Sequence, residues 1–92
     1  MSSGWKFTFT LTGEEDLRSL DAPVQRRILG KLEWFRENFP SVVHEALGHE
    51  WHGYFKLRVG DWRVVYEMEH ESHIVTIHRI ALRDKVYKKP KK

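Results

Sequence analysis

In "WKFTFTL", Trp5, Phe7, Phe9 and Leu11 alternate with small polar or basic residues, the period-two pattern of a half-buried strand. Thr12 and Glu15 stand in capping-box spacing and predict a short helix that includes Leu17 and Leu20. Asp21, with Pro23 close behind, predicts a second helix. Within it Val24, Ile28, Leu32, Phe35 and Phe39 form one apolar stripe at helical period, until Asn38 and Pro40 end it. A loop follows through "HEALGHEWHG". Period two then returns in "YFKLRVGDWRVVYEM", where Phe55, Leu57 and Val59 alternate with Tyr54, Lys56 and Arg58.

Gly60-Asp61 predicts a two-residue hairpin turn, glycine supplying the positive φ. The return strand is expected from Trp62 to about Met68, a turn at "EHES", and a last strand at "HIVTIHRI". One or two helical turns are expected from Arg83 to Tyr87, before a lysine-rich end at 88–92 that reads as disordered. The fold class is therefore α+β. About four strands form an antiparallel β-meander with an N-terminal strand, a helical hairpin packs on one face, and a short C-terminal helix closes the chain.

Length adds one constraint: 92 residues suffice for a single domain with one compact core, without internal repeats or linkers. The chain is 40% hydrophobic and 13% aromatic, too rich for disorder. No apolar run approaches the roughly 18 to 20 residues of a membrane span, and the N-terminus lacks the layout of a secretion signal. The absence of cysteine removes disulfides, thiolate catalysis and zinc–thiolate sites together, and fits a reducing cytoplasm.

The net charge of +3 hides an asymmetry. Residues 78–92 hold seven Lys/Arg against one acid, and residues 1–77 hold nine against twelve. Cationic charge gathered at one end suits a polyanionic partner, or a merely solubilising tail.

Three histidines and two glutamates crowd into "HEALGHEWHG", which raises the question of a metal site. A zinc-binding helix of that type needs histidines at i and i+4. His44 and His49 are at i and i+5, so on a helix their rings would point about 140° apart, and Gly48 holds the place of the missing ligand. Gly48 and Gly53 bracket a loop instead. The pairs His49/His52 and His70/His73 are three apart, yet neither has a cysteine or a clear third ligand beside it. No metal and no cofactor are expected, and the histidines read as loop and surface residues.

The hairpin offers more. Tyr54, Lys56 and Arg58 share one strand face, and Arg63 lies just across the Gly60-Asp61 turn. The last strand adds His78 or Arg79, and the C-terminal segment adds Arg83, Lys85 and Tyr87. A basic face containing aromatic rings suits RNA, with cations for phosphates and rings for unpaired bases. The same pattern also fits a solvated sheet face whose charges prevent edge-to-edge aggregation.

The stretch "LGHEWHGYFKLRVGDWRVVYEM", Leu47 to Met68, resembles the signature of the RelE/ParE toxin superfamily, most closely through "KLRVGDWRVVY". The ending "IHRIALRDKVY" resembles that superfamily's closing elements more loosely, and the resemblance extends over about residues 5–88. It implies a cytoplasmic toxin of a toxin–antitoxin pair. RelE-type members enter the ribosomal A site and cut mRNA there, the ribose 2′-hydroxyl attacking its own 3′ phosphate to leave a 2′,3′-cyclic phosphate. Such a cut needs removal of the 2′ proton, stabilisation of charge on phosphorus and a proton for the 5′ oxygen.

Carried over position by position, the resemblance gives Lys56 the role of acting on the 2′-hydroxyl or stabilising charge beside it. Arg63 would grip the scissile phosphate, Arg58 and Arg83 would be neighbouring cations, and Tyr87 would stack on a base. Two positions depart from the family pattern: Tyr54 stands where a second lysine is usual, and Ala81 where an arginine proposed as general acid is usual. Arg79, a protonated His78 or a shifted Arg83 could fill that last role. The implied partners are a cognate antitoxin and the ribosome with mRNA in its A site. The alternative within the same superfamily is a ParE-like inhibitor of DNA gyrase without nuclease chemistry. A third is a plain RNA-binding or antitoxin-sequestered module.

Overall fold

The computed structural model describes residues 4–86. Strand β1 (Lys6–Phe9) leads into helix α1 (Leu11–Arg18) and helix α2 (Ala22–Asn38). After a 3₁₀ turn at Phe39–Ser41 come the two-residue strand β2 (Glu45–Ala46) and a second 3₁₀ turn at His49–Trp51. Strands β3 (Phe55–Val59), β4 (Trp62–Glu69) and β5 (Ile74–Leu82) complete the order. The five strands form one sheet in the order β1-β5-β4-β3-β2.

The meander β3-β4-β5 is antiparallel, as its hairpin pattern predicts, but β1 pairs with β5 in parallel, Phe7 opposite Val75. The two helices carry the chain across the sheet between β1 and the meander, which is what a parallel pairing requires. Segment 44–53, expected as a plain loop, contributes β2, whose Glu45 lies opposite Lys56.

Helix α1 is capped two residues earlier than expected. Thr10, not Thr12, is the N-cap, its hydroxyl oxygen accepting the Gly13 N–H at 3.0 Å. The backbone decides this, since Thr10 N donates to the Ile77 carbonyl at 3.0 Å and so fixes where β1 ends. Asp21 stands at the N-cap of α2 as expected, its side chain making no capping hydrogen bond, with Pro23 in the first turn.

The apolar stripe of α2 supplies Ile28, Leu32, Phe35 and Phe39 to the core, against Trp5, Val59, Val64, Tyr66, Val75, Ile77 and Ile80. Its aromatic centre is tilted and edge-on, with Phe35 5.0 Å from Phe39 and 5.2 Å from Tyr66. Among the described residues no helix is long and apolar enough to cross a membrane.

At the C-terminus, Lys85 N and Val86 N both donate to the Leu82 carbonyl at 2.9 Å. The expected C-terminal helix is therefore a single hydrogen-bonded turn among the described residues. The basic end at 88–92 lies outside them, as does Tyr87.

Candidate functional site

Alternation along β3 sends Phe55, Leu57 and Val59 toward the helices, and Tyr54, Lys56 and Arg58 to the opposite side. On β4, Arg63 lies directly opposite Arg58, and Val65 opposite Lys56. Cross-strand partners share a face, so Lys56, Arg58 and Arg63 stand on one side of the ribbon. Two arginines facing each other repel. The chain relieves this by turning Arg63 down onto the hairpin, where Nη1 donates to the carbonyls of Gly60 at 2.8 Å and Trp62 at 2.9 Å. Arg63 is only 9% exposed, whereas Arg58 lies open to solvent. Lys56 is half-buried and its ammonium lies 3.6 Å from the Glu45 carboxylate.

This face also has an apolar floor. Trp51, Val65 and Val86 are buried together there, with Leu47, Tyr54 and Ala81 packed around them. The loop read as a mere connector thus folds Trp51 over the outer side of the sheet, and the C-terminal turn adds Val86. One signal for this was available: Val64 and Val65 are consecutive on β4, so one of them had to point away from the main core.

The end of β5 treats its polar residues differently. Val65 pairs with Arg79, but Tyr66 pairs with Ile77, leaving His78 as the extra residue of a β-bulge. His78 lies on the outer face, its Nε2 2.5 Å from Glu67 Oε1 and its ring edge-on to Tyr54 at 4.8 Å. Arg79 is drawn away to α1, where its Nε donates to Asp16 at 3.1 Å. The same carboxylate oxygen accepts the Ile80 N–H at 2.9 Å. The structure thus puts Lys56, Arg58, Arg63, Tyr54 and His78 on one face of the sheet, while the Arg79 guanidinium is engaged by Asp16 of α1. Arg83 and Lys85 are exposed on the C-terminal turn, which is tied to the hairpin by Arg83 N donating to the Asp61 carbonyl at 2.9 Å.

His44 departs from the expectation of a surface histidine. It is half-buried between Phe39 and Tyr66, ring centroids 4.1 Å from Phe39. Nε2 lies 3.0 Å from the Phe39 carbonyl and must donate to it, so Nδ1 accepts from the Tyr66 hydroxyl at 2.7 Å. Burial pulls the imidazole below its ordinary value of 6.5, assisted by His70 and opposed by the Phe39 carbonyl. Burial likewise pushes the Tyr66 phenol up, with Glu45 adding to the effect. His70 and His73 are occupied by Trp5, His73 stacked at 4.7 Å and His70 edge-on at 5.6 Å. No group of three His, Cys, Asp or Glu among the described residues is placed to hold a metal ion.

Residues 7–87 match the family model described as the ParE toxin of the type II toxin–antitoxin system parDE. The chain belongs to the ParE toxin family. Solved structures place the family member within the wider RelE/ParE superfamily. It is similar to a chain of the toxin–antitoxin complex RelBE2 from Mycobacterium tuberculosis, with 31% identity, 86% of this chain and 91% of that one covered, and a TM-score of 0.66. The fold is also shared with the isolated RelE toxin of E. coli, at 17% identity, 90% and 88% coverage and a TM-score of 0.72. The archaeal RelE–RelB complex of Pyrococcus horikoshii matches at 20% identity, 90% and 99% coverage and a TM-score of 0.67. Comparison with curated protein sequences gave no match.

Proposed function

We propose that this toxin is a ribosome-dependent mRNA endonuclease of the cytoplasm, held inactive by a cognate antitoxin until released. The observation that carries the reading is the common face of Lys56, Arg58 and Arg63, with Tyr54 and His78 beside it. Three cations on one rigid ribbon suit a phosphodiester whose charge grows as the 2′ oxygen attacks phosphorus, and preorganised charge is the largest lever available to such a reaction.

Arg63 fits the phosphate-gripping role. A guanidinium carries five N–H donors. Two contacts from Nη1 to the hairpin carbonyls fix its plane, and the Nη2 and Nε donors remain to fork onto phosphate oxygens. Lys56 is fitted to hold the 2′ oxygen or stabilise charge beside it, and Arg58 to bind a neighbouring phosphate. Arg83 and Lys85 extend the cationic track. Tyr87, by its place in the family motif, would stack on a base. Much of the acceleration would come from the ribosome and the toxin together holding the backbone in line. An antitoxin partner is supported by the toxin–antitoxin complexes among the similar structures.

One observation favours the gyrase-inhibitor reading: Ala81 stands opposite Arg63 where nuclease members are expected to carry an arginine, and Arg79 is tied to Asp16. The two readings part in one experiment. Purified toxin is added to ribosomes programmed with a defined mRNA and, separately, to gyrase with relaxed plasmid. The nuclease reading expects mRNA cut only when ribosome-bound, with the cut lost in Lys56→Ala and Arg63→Ala. Inhibited supercoiling with intact mRNA would overturn it.

A further inference from the structure

Resting on the endonuclease reading, we infer that His78, delivered to the basic face by the β5 bulge and held there by Glu67 and Tyr54, is the general acid that protonates the departing 5′ oxygen. A bulge re-aims side chains, and here it has an identifiable product. With Val65 opposite Arg79 and Tyr66 opposite Ile77, His78 is released from the ladder and its ring lies over β4 toward β3. There its Nε2 meets Glu67 Oε1 at 2.5 Å, and the ring meets the Tyr54 edge at 4.8 Å. Tyr54 and Lys56 are successive same-face positions on one strand, about 7 Å apart, so the ring stands on the face that carries the lysine.

The chemistry selects His78 from its neighbours. Arg58 and Arg63 keep their protons throughout the physiological range. The Lys56 ammonium is paired with Glu45. Arg79, the other arginine at this end of β5, is bound to Asp16. An imidazole is the side chain whose ordinary titration lies near neutrality, so it can give and regain a proton in each turnover. Glu67 engages Nε2, which leaves Nδ1 as the ring nitrogen to serve the substrate. Glu67 of β4 and Tyr54 just before β3 touch the ring; the other charged groups on the elements around it are Lys56 and Arg58 of β3, Arg63 of β4, Glu45 of β2, Arg79 of β5, and Arg83, Asp84 and Lys85 of the C-terminal turn.

In the step itself, the bond from the 2′ oxygen to phosphorus forms as the bond from phosphorus to the 5′ oxygen breaks. The 2′ proton passes to solvent, His78 gives its Nδ1 proton to the 5′ oxygen, and the neutral imidazole is reprotonated from solvent. Glu67 is a positioning residue, acting through the ring.

The test follows single-turnover cutting of ribosome-bound mRNA by the full chain from about pH 5 to 8, the range over which imidazole titrates. Wild type, His78→Gln, His78→Asn, Glu67→Gln, Glu67→Ala and Arg63→Ala are compared, with circular dichroism confirming each fold. The rate in wild type is expected to fall as pH rises through the imidazole range. Either His78 variant should cut about 10²–10⁴-fold more slowly and lose that limb. Glu67→Gln, which keeps a hydrogen-bond acceptor for Nε2, should cut faster than either His78 variant, whereas Glu67→Ala should cut more slowly than Glu67→Gln and keep the pH limb. A His78 variant that cuts as fast as wild type with the same profile overturns this assignment and leaves the endonuclease reading standing. A Glu67→Ala variant that cuts as fast as wild type overturns the role of Glu67. A wild type that cuts at no pH overturns the endonuclease reading, and this assignment with it.

Discussion

Arg58 and Arg63 face each other across the β3–β4 ladder, yet one lies in solvent and the other bends onto the carbonyls of Gly60 and Trp62. The contrast separates an exposed cation from a buried, hydrogen-bonded one. Arg63→Ala should therefore affect two measurements at once. Removing the donor deletes two hydrogen bonds of a buried guanidinium, destabilising the fold by about 1–3 kcal/mol, and toxicity should disappear as well. Arg63→Lys restores the charge but not the fork, so it should recover stability in thermal melts more than toxicity in cells. Arg58→Ala should leave the melt nearly unchanged.

Gly13 sits where helix α1 crosses β5, and a Cβ there would run into the Ile77 carbonyl. Both sides of the contact are backbone, so neither gives way cheaply. Gly13→Ala should destabilise by about 1–3 kcal/mol. At about 4–8 °C per kcal/mol for a domain of this size, calorimetry should record the loss directly.

Asp16 accepts from both the Ile80 N–H and the Arg79 guanidinium, closing the part of β5 that β1 does not reach. Asp16→Ala leaves a backbone donor without its acceptor, and about 1–3 kcal/mol of stability should go with it. Asp16→Asn keeps an oxygen for Ile80 and should lose less. Urea titration of the pair distinguishes them by their midpoints.

His44 gives the fold a pH dependence whose sign follows from its burial. The folded state holds the imidazole neutral, with a value lowered from 6.5, whereas the unfolded chain titrates near 6.5. Between the two values the unfolded state binds more protons. The stability His44 contributes is thus fully present above about pH 6.5 and is lost as pH falls toward and through the lower folded-state value. Protonation would also put a second donor against the Tyr66 hydroxyl. Thermal midpoints should fall with acidification in that window, and His44→Gln should be less stable at neutral pH but flatter across it.

Much of this architecture was legible from period alone. The stripe from Val24 to Phe39 marked the core face of α2, and the alternation around Lys56 marked which side of the hairpin would carry charge. What escaped was set by contacts between distant segments. Thr10 rather than Thr12 caps α1 because Ile77, 67 residues away, claims its backbone. Glu45 meets Lys56 because a two-residue strand forms inside a loop. The bulge that leaves His78 beside Glu67, with Arg79 next to it bound to Asp16, depends on register between β4 and β5, which hydropathy does not encode. The histidine-rich stretch drew attention as chemistry, yet within it His44 joins the core aromatics and Trp51 roofs the outer face.

The central claim is that the Lys56–Arg58–Arg63 face cuts RNA on the ribosome, and 5′-end mapping of cellular transcripts after brief induction tests it most directly. The account predicts new 5′ ends inside translated coding regions, absent from untranslated transcripts and from cells expressing Arg63→Ala or Lys56→Ala. Growth arrest with unchanged transcript ends and broken DNA would contradict it.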